Sequence, residues 1–394
     1  MLFLSPLLLL LLLLLADALA ATGSAALAAS SGGRTHVCVS SYTTGAELEA
    51  LPWAAVTDLV QSVAPLSIGA GGNVSAAAGW PMGNLVAAAH AKSARIWVGV
   101  KTPSKDASAA FLRLPRVALG AAAEALVKLV AAAGYDGFQV DIEGLKPESK
   151  EGLEFFLAAA AEAAEAHGVR MSSTLYALVV LQRRRHPDAP SAYNASRLAS
   201  FGDGVFLMGY DLSWLGSAPG TGWESAAPCA PIDALDAMLS ELVHVQQVDP
   251  KQLVLGLPLY GRVYVCDGST MPVQGNCSCA TRNFKKKSLD LLVAVPDDKA
   301  RGCTVGYNNQ TATPYWECPR GSGLPGVVNP EGLREQAWFE NPASFDNKTG
   351  LARKFGLAGV GTWTAHGIGG GTSFDTAMWE VLQRYARTKR RREY

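Results

Sequence analysis

The stretch that decides the fold is Asp136–Glu143, which reads Asp-Gly-Phe-Gln-Val-Asp-Ile-Glu. Side chains alternate between the two faces of a β-strand, so the apolar positions 138, 140 and 142 share one face and are expected to pack on helices. Gln139, Asp141 and Glu143 share the other face. Enclosed polar groups are costly unless they are hydrogen-bonded or used in chemistry. Three of them in register predict an active site at the carboxyl end of a barrel strand.

The two carboxylic acids of this stretch suit acid catalysis. Two carboxyl groups on one face repel each other when both are ionised, so one of them can stay protonated near neutral pH. We assign the proton donor to Glu143, which is nearer the mouth, and an orienting role to Asp141. Because both lie on one strand, they cannot easily flank a sugar as the carboxylates of an ordinary retaining glycosidase do. A satisfied polar cluster at the mouth is the competing interpretation.

Seven further β-rich segments alternate with helical stretches along the chain. The eight candidate strands cover residues 36–42, 56–63, 95–101, 138–143, 169–176, 205–210, 253–260 and 359–364. Candidate helices cover residues 121–133, 153–167, 232–245 and 374–385. This alternation predicts an α/β fold with a parallel sheet inside helices, and eight repeats predict a closed (β/α)8 TIM barrel as a single catalytic domain. Residues 261–330 lack periodicity, which predicts a long, Cys-containing functional loop after strand 7.

The amino terminus indicates export. Residues 7–15 are all leucine and residues 18–20 form a small-x-small cleavage site. Residues 1–20 are therefore predicted to be a signal peptide rather than a membrane anchor, with no membrane association after its removal. Residues 21–33 would be a leader, residues 34–386 the catalytic domain and residues 387–394 a basic tail.

Cysteine and asparagine usage favours the secretory pathway, either the lysosome or vacuole or the extracellular space. Five of the seven cysteines crowd into residues 261–330, which predicts disulfides there. A zinc site is disfavoured, because this stretch has no Cys-x-x-Cys pair and no nearby histidine. Cys38 is expected to be buried as an apolar filler. Five Asn-x-Ser/Thr sequons predict a glycosylated surface. They are Asn73, Asn194, Asn276, Asn309 and Asn347.

Charge and histidine content argue against several kinds of partner. The chain has 34 basic and 34 acidic residues, whereas nucleic-acid binding needs clustered Lys and Arg. The six histidines are scattered and form no ligand pair, so neither a metal nor another cofactor is expected. We expect a monomer.

The stretch at 136–143 resembles the DGxDxDxE signature of glycoside hydrolase family 18, the chitinase superfamily, and most of all its di-N-acetylchitobiases. Gln139 stands where the signature has Asp and where the chitobiases have Asn. Four other segments are similar to motifs of this family. They are FLMGYD at 206–211, LGLPLYG at 255–261, QAWFENP at 336–342 and GVGTW at 359–363.

The resemblance implies a (β/α)8 barrel with substrate-assisted catalysis on β-1,4-linked N-acetylglucosamine, in chitobiose, chito-oligosaccharides or the core of Asn-linked glycans. Glu143 would protonate the glycosidic oxygen, while the 2-acetamido oxygen of the substrate attacks the anomeric carbon. Asp141 would polarise the acetamido N–H, and Tyr210 would hydrogen-bond the acetamido carbonyl. The implied substrate-binding residues are Trp363 under the sugar ring, Asp211, Gln139 beside Asp141, and Asp136, which would support Asp141 from deeper in the barrel.

Two other functions stay open. A non-catalytic chitinase-like carbohydrate-binding protein would typically lack the acid, whereas Glu143 is present here. A chitinase or endo-β-N-acetylglucosaminidase is the second alternative. Chitinases usually carry an inserted α+β subdomain, which the sequence does not suggest, although Trp214, Trp223 and Trp316 are candidates to line an extended groove.

Overall fold

The computed structural model describes residues 33–39, 45–212, 226–266, 285–288, 302–319, 332–368 and 371–390. Several predictions concern parts of the chain outside these residues. These parts are the signal peptide, nearly all of the leader, Asn276, Trp214 and Trp223.

Eight parallel strands close into a barrel. They are β1 (Arg34–Val39), β2 (Asp58–Ile68), β4 (Arg95–Lys101), β5 (Gly137–Val140), β6 (Arg170–Tyr176), β7 (Val205–Met208), β8 (Leu253–Pro258) and β14 (Gly359–Trp363). Each strand pairs with the next, and β1 pairs with both β2 and β14, which closes the ring. The eight predicted strands and the TIM-barrel class are thereby confirmed. A short strand, β3 (Val74–Ala76), adds to β2 in antiparallel fashion.

Helices surround the barrel. They are α1 (Gly45–Ala50), α2 (Gly83–Ala91), α3 (Lys105–Phe111), α4 (Arg116–Ala132), α5 (Lys150–Ala166), α6 (Ala177–Arg185), α7 (Ala195–Ala199), α8 (Ile232–Ser240), α9 (Pro342–Lys354) and α10 (Ser373–Arg390). All four predicted helices are present, as α4, α5, α8 and α10. Because α10 continues to Arg390, the predicted basic tail from residue 387 is helical over its first part.

Successive residues of the barrel strands belong alternately to two hydrophobic clusters, one on each face of the sheet. This division confirms that positions 138, 140 and 142 share the face that packs on helices. The larger cluster joins strands to helices and contains Phe138, Val140 and Ile142. The smaller cluster takes the intervening strand positions, those inside the barrel, and contains Trp97 and Cys38. Cys38 is a buried free thiol, as predicted.

The amino-terminal end of the barrel is filled by side chains. Asp58 is fully buried and accepts hydrogen bonds from Arg95 Nε at 2.6 Å, Arg95 Nη2 at 2.9 Å and Trp97 Nε1 at 2.9 Å. The Trp97 ring comes within 2.6 Å of where a Cβ on Gly137 would lie, so this packing requires glycine at position 137. A ligand is therefore expected to enter from the opposite, carboxyl end.

The long, Cys-containing segment predicted after the seventh barrel strand is present, and it contains a second sheet that the sequence pattern did not indicate. Its strands β9 (Tyr260–Cys266), β10 (Lys285–Ser288), β11 (Thr304–Asn308), β12 (Thr313–Cys318) and β13 (Arg334–Trp338) pair antiparallel in the order β10-β9-β13-β12-β11. The predicted disulfide formation is confirmed for Cys303 and Cys318, which join at the base of the β11–β12 hairpin. Trp316 is fully buried in this sheet, so it does not line a groove.

Candidate active site

Asp141 and Glu143 follow β5 at the carboxyl end of the barrel. The Asp141 amide still donates to the Val100 carbonyl of the neighbouring strand at 2.7 Å, so the backbone keeps its strand direction up to this residue. Glu143, two residues further on, is exposed. The fold therefore presents a half-buried carboxyl group just inside the mouth and an exposed one at the rim.

Thr174 on β6 holds the Asp141 side chain. Its hydroxyl donates to Asp141 Oδ1 at 2.7 Å. Burial raises the pKa of Asp141, while the Thr174 hydrogen bond and the positive charge of Lys101 act in the opposite direction. Burial is therefore the main cause of the raised pKa of Asp141, whereas the sequence led us to expect mutual repulsion between Asp141 and Glu143 to keep one of the two carboxyl groups protonated.

Gln139 contacts a different partner from the predicted one. It is buried inside the barrel, and its Nε2 donates to the Ser172 hydroxyl at 3.3 Å. Asp141 is therefore oriented by Thr174 rather than by this amide. Sequence reasoning missed Thr174, although a signal exists: Ser172, Thr174 and Tyr176 repeat every second residue at the carboxyl end of a strand, the same pattern that singles out 139, 141 and 143.

Tyr210 and Trp363 form an aromatic pair beside the carboxyl groups. Their rings stack with centroids 6.5 Å apart and an interplanar angle of 24°. Tyr210 is buried, which raises the pKa of its hydroxyl well above the ordinary value, and the negative charges of Asp141 and Glu143 add to this effect. The hydroxyl is therefore a permanent hydrogen-bond donor, while half-buried Trp363 keeps part of its ring open.

Asp211 is the centre of a hydrogen-bond network next to this pair. Its Oδ1 accepts from Tyr260 Oη at 2.5 Å and lies 2.7 Å from Arg262 Nη2, while the Cys229 thiol donates to the same oxygen at 3.4 Å. Tyr176 Oη donates to the Asp211 carbonyl oxygen at 2.8 Å. The ion pair with Arg262 and the Tyr260 and Cys229 donors hold the carboxylate of Asp211, while Tyr176 holds its backbone.

These partners of Asp211 were not identified from the sequence. Arg262 and Tyr260 come from β9, and Cys229 follows residues outside the described range. Tyr176 and Tyr260 carried a usable signal, each as the last residue of a predicted strand. Arg262 did not, because its segment was interpreted as a loop.

Asp136 lies at the other end of β5 and does not join this group. Its Oδ2 accepts from the Ile96 amide at 2.8 Å and lies 2.9 Å from His90 Nε2. Five residues of extended chain separate it from Asp141, roughly 16 Å. Its predicted role in supporting Asp141 is therefore corrected to a local link between β4, β5 and α2.

The residues that the structure describes contain neither a metal site nor a membrane-spanning helix. Within these ranges, no group of three or more His, Cys, Asp or Glu side chains could hold a metal ion. None of the helices in the described part of the chain is long and apolar enough to cross a membrane.

Comparison with known proteins identifies relatives of this barrel. Residues 115–367 match the model of the family "Glycosyl hydrolases family 18". Rat di-N-acetylchitobiase is 24% identical over 291 residues, which cover 72% of this chain and 73% of that protein. A chitinase from Chromobacterium violaceum has the same fold, with a TM-score of 0.68 at 19% identity over 90% of this chain and 99% of that one. The spore cortex-lytic enzyme of Bacillus megaterium also has this fold, with a TM-score of 0.67 at 17% identity over 90% of this chain and 74% of that one.

Proposed function

The chain belongs to glycosyl hydrolases family 18, and on that premise we propose that it hydrolyses β-1,4-linked N-acetylglucosamine by substrate-assisted, retaining catalysis. The observation that carries the proposal is the grouping of an oriented, half-buried Asp141, a protonated Tyr210 and an exposed Glu143 at one barrel mouth. The proposed substrates are di-N-acetylchitobiose, chito-oligosaccharides or the core of Asn-linked glycans. The similarity to rat di-N-acetylchitobiase supports this choice.

In the first step, Glu143 donates its proton to the glycosidic oxygen. The acetamido oxygen of the same sugar attacks the anomeric carbon, the bond to the leaving group breaks, and a cyclic oxazolinium forms. This nucleophile is tethered to its target, so the step gains from proximity. Ionised Asp141 accepts a hydrogen bond from the acetamido N–H, and Tyr210 donates one to the acetamido oxygen.

In the second step, Glu143 acts as a base. It removes a proton from a water molecule, which attacks the anomeric carbon and opens the oxazolinium ring. Two successive inversions at this carbon retain the configuration of the bond. Trp363 offers an apolar face to the C–H face of the sugar ring, which explains why a half-open indole lies beside Tyr210.

The inserted sheet supports a second candidate within the same chemistry. Strands β9 to β13 lie between the seventh and eighth barrel strands, and connections at this position border the catalytic mouth. An added wall there suits a longer sugar chain, as a chitinase or endo-β-N-acetylglucosaminidase would bind. A non-catalytic sugar-binding role is less well supported, because it leaves the combination of Glu143, Asp141 and Tyr210 without a use.

Oligosaccharides of two to five N-acetylglucosamine units, labelled at the reducing end, test the proposal between pH 3 and pH 8. We expect hydrolysis with β-configured product, seen by NMR before mutarotation. The preferred length distinguishes a chitobiase from a chitinase. The matched control is the same oligosaccharide without acetyl groups, which lacks the internal nucleophile. Equal cleavage of both would refute acetamido participation, and binding without turnover would support the sugar-binding alternative.

We also propose that the protein is glycosylated in the secretory pathway and reaches the lysosome, a vacuole or the extracellular space as a monomer. Support comes from the leucine-rich amino terminus and from the sequons. Asn73, Asn309 and Asn347 are exposed, and Asn194 is half-buried at the start of α7. Expression in eukaryotic cells with and without N-glycanase treatment tests this, and an unchanged mobility after treatment would contradict it.

A further inference from the structure

Tyr193 contacts the segment that carries Glu143. It lies between α6 and α7, and its hydroxyl donates to the Ile142 carbonyl oxygen at 3.1 Å while accepting from the Leu145 amide at 3.1 Å. The side chain is half-buried, and burial raises the pKa of its hydroxyl to about 12, so the group stays protonated. One hydroxyl thus satisfies two backbone groups on either side of Glu143.

The two backbone groups have the spacing of a β-turn. Ile142 and Leu145 are first and fourth in a four-residue segment, in which a direct carbonyl-to-amide hydrogen bond commonly forms. Gly144 is third and has a φ of 67°, the left-handed conformation that a type II turn needs at this position. The Tyr193 hydroxyl bridges the carbonyl and the amide. The direction of Glu143, the second residue, depends on that bridge.

Lys105 supports the same turn from the other side. A Cβ on Gly144 would lie 2.5 Å from Lys105 Cε, so the lysine stem packs directly on the glycine. Lys105 begins α3, whereas Tyr193 follows α6. The turn is therefore held between two neighbouring βα units, although it contains no regular secondary structure of its own.

We infer that Tyr193 is a positioning residue that holds Glu143 at the height of the glycosidic oxygen. This inference rests on the proposed function, in which Glu143 is the acid. Tyr193→Phe removes the bridging hydroxyl and leaves the Ile142 carbonyl and the Leu145 amide to pair with each other or with water. Either change moves Glu143, and a displacement of about 1 Å costs a catalytic step about 100-fold.

Two substrates with different leaving groups test the inference. A chito-oligosaccharide has a sugar alcohol as leaving group and needs a proton from Glu143, whereas its dinitrophenyl glycoside leaves without one. For Tyr193→Phe we expect kcat/KM on the oligosaccharide to fall about 100-fold, with KM little changed, and kcat/KM on the dinitrophenyl glycoside to stay within about threefold. A merely structural role would lower both rates by the same factor.

Tyr135→Phe is the matched control. The Tyr135 hydroxyl is also buried, has its pKa raised to about 12 and donates to Gln61 Oε1 at 2.5 Å, but it lies before the amino-terminal end of β5. Its loss should change the unfolding midpoint without changing the ratio of the two rates.

A second variant keeps the inference testable if Tyr193→Phe unfolds. Gly144→Ala strains the turn at an exposed site and should show the same dependence on the leaving group. Equal losses on both substrates, or no loss, would overturn the inference while the wild-type enzyme stays active. A wild-type protein that is inert on both substrates would instead overturn the proposed function, and this inference with it.

Discussion

Thr174→Val removes the hydrogen bond that holds Asp141. Valine matches the shape of threonine but cannot donate, and residue 174 is only 8% exposed, so water cannot readily replace the hydroxyl. A hydrogen bond to a charged group contributes about 1.5–3 kcal/mol, and about 1.4 kcal/mol corresponds to one pKa unit. Its loss should raise the pKa of Asp141, in the same direction as the shift that burial causes.

The acidic limb of the pH profile of kcat/KM measures this shift. Catalysis needs ionised Asp141 as the acceptor for the acetamido N–H, so the rate declines as pH falls through the pKa of Asp141. In Thr174→Val the limb should move to higher pH, and the free energy of the lost hydrogen bond corresponds to a fall in kcat/KM of about 10- to 100-fold on that limb. Ser172→Ala is the matched control, because it removes another buried hydroxyl of β6, the one that accepts from Gln139. If the acidic limb does not move in Thr174→Val, or moves equally in Ser172→Ala, Thr174 does not set the pKa of Asp141 through its hydrogen bond.

Three further predictions concern stability and binding. His36 is buried and accepts a hydrogen bond from Arg34 Nη2 at 2.8 Å. Burial lowers the pKa of His36 to about 3, so as the pH falls its side chain takes up a proton in the unfolded chain before it does so in the folded protein. The free energy of unfolding should then fall by up to about 1.4 kcal/mol per pH unit below about pH 6.5, and urea unfolding of His36→Gln should lack this slope. Trp363→Ala should raise KM about three- to tenfold by removing the aromatic platform, and an unchanged KM would exclude stacking there. Replacing Cys303 and Cys318 by alanine opens a bridge between residues 15 apart and should cost about 3 kcal/mol of stability, so an unchanged denaturation curve would contradict a stabilising role.

The barrel was predictable because each of its strands carries a local signal. A buried strand shows as a short β-rich run, and the division of residues 138–143 into apolar and polar faces follows from period-two alternation alone. The same alternation placed Asp141 on the face that points into the mouth. Tyr210 and Trp363 were recognised only through family motifs, since their ring contact joins residues far apart in the chain.

The inserted sheet and the supporting residues were not predictable in this way. Strands β9 to β13 have four to seven residues each, and their partners are set by tertiary pairing rather than by a repeating pattern. Thr174 and Tyr193 act through hydrogen bonds that span 33 and 51 residues of sequence. Asp136 was misplaced because its role was taken from the family motif, although five residues of extended chain already place it roughly 16 Å from Asp141.

The most direct test of Glu143 as the catalytic acid compares wild type with Glu143→Gln on di-N-acetylchitobiose at the pH optimum. Glutamine keeps the size of glutamate but cannot donate a proton, and position 143 is exposed, so the fold should be unaffected. Matching urea unfolding curves and matching affinity for the sugar would show this. We expect wild type to release N-acetylglucosamine and the variant to be slower by about 100- to 10,000-fold. A variant that keeps the wild-type rate would contradict the assignment of Glu143 as the acid.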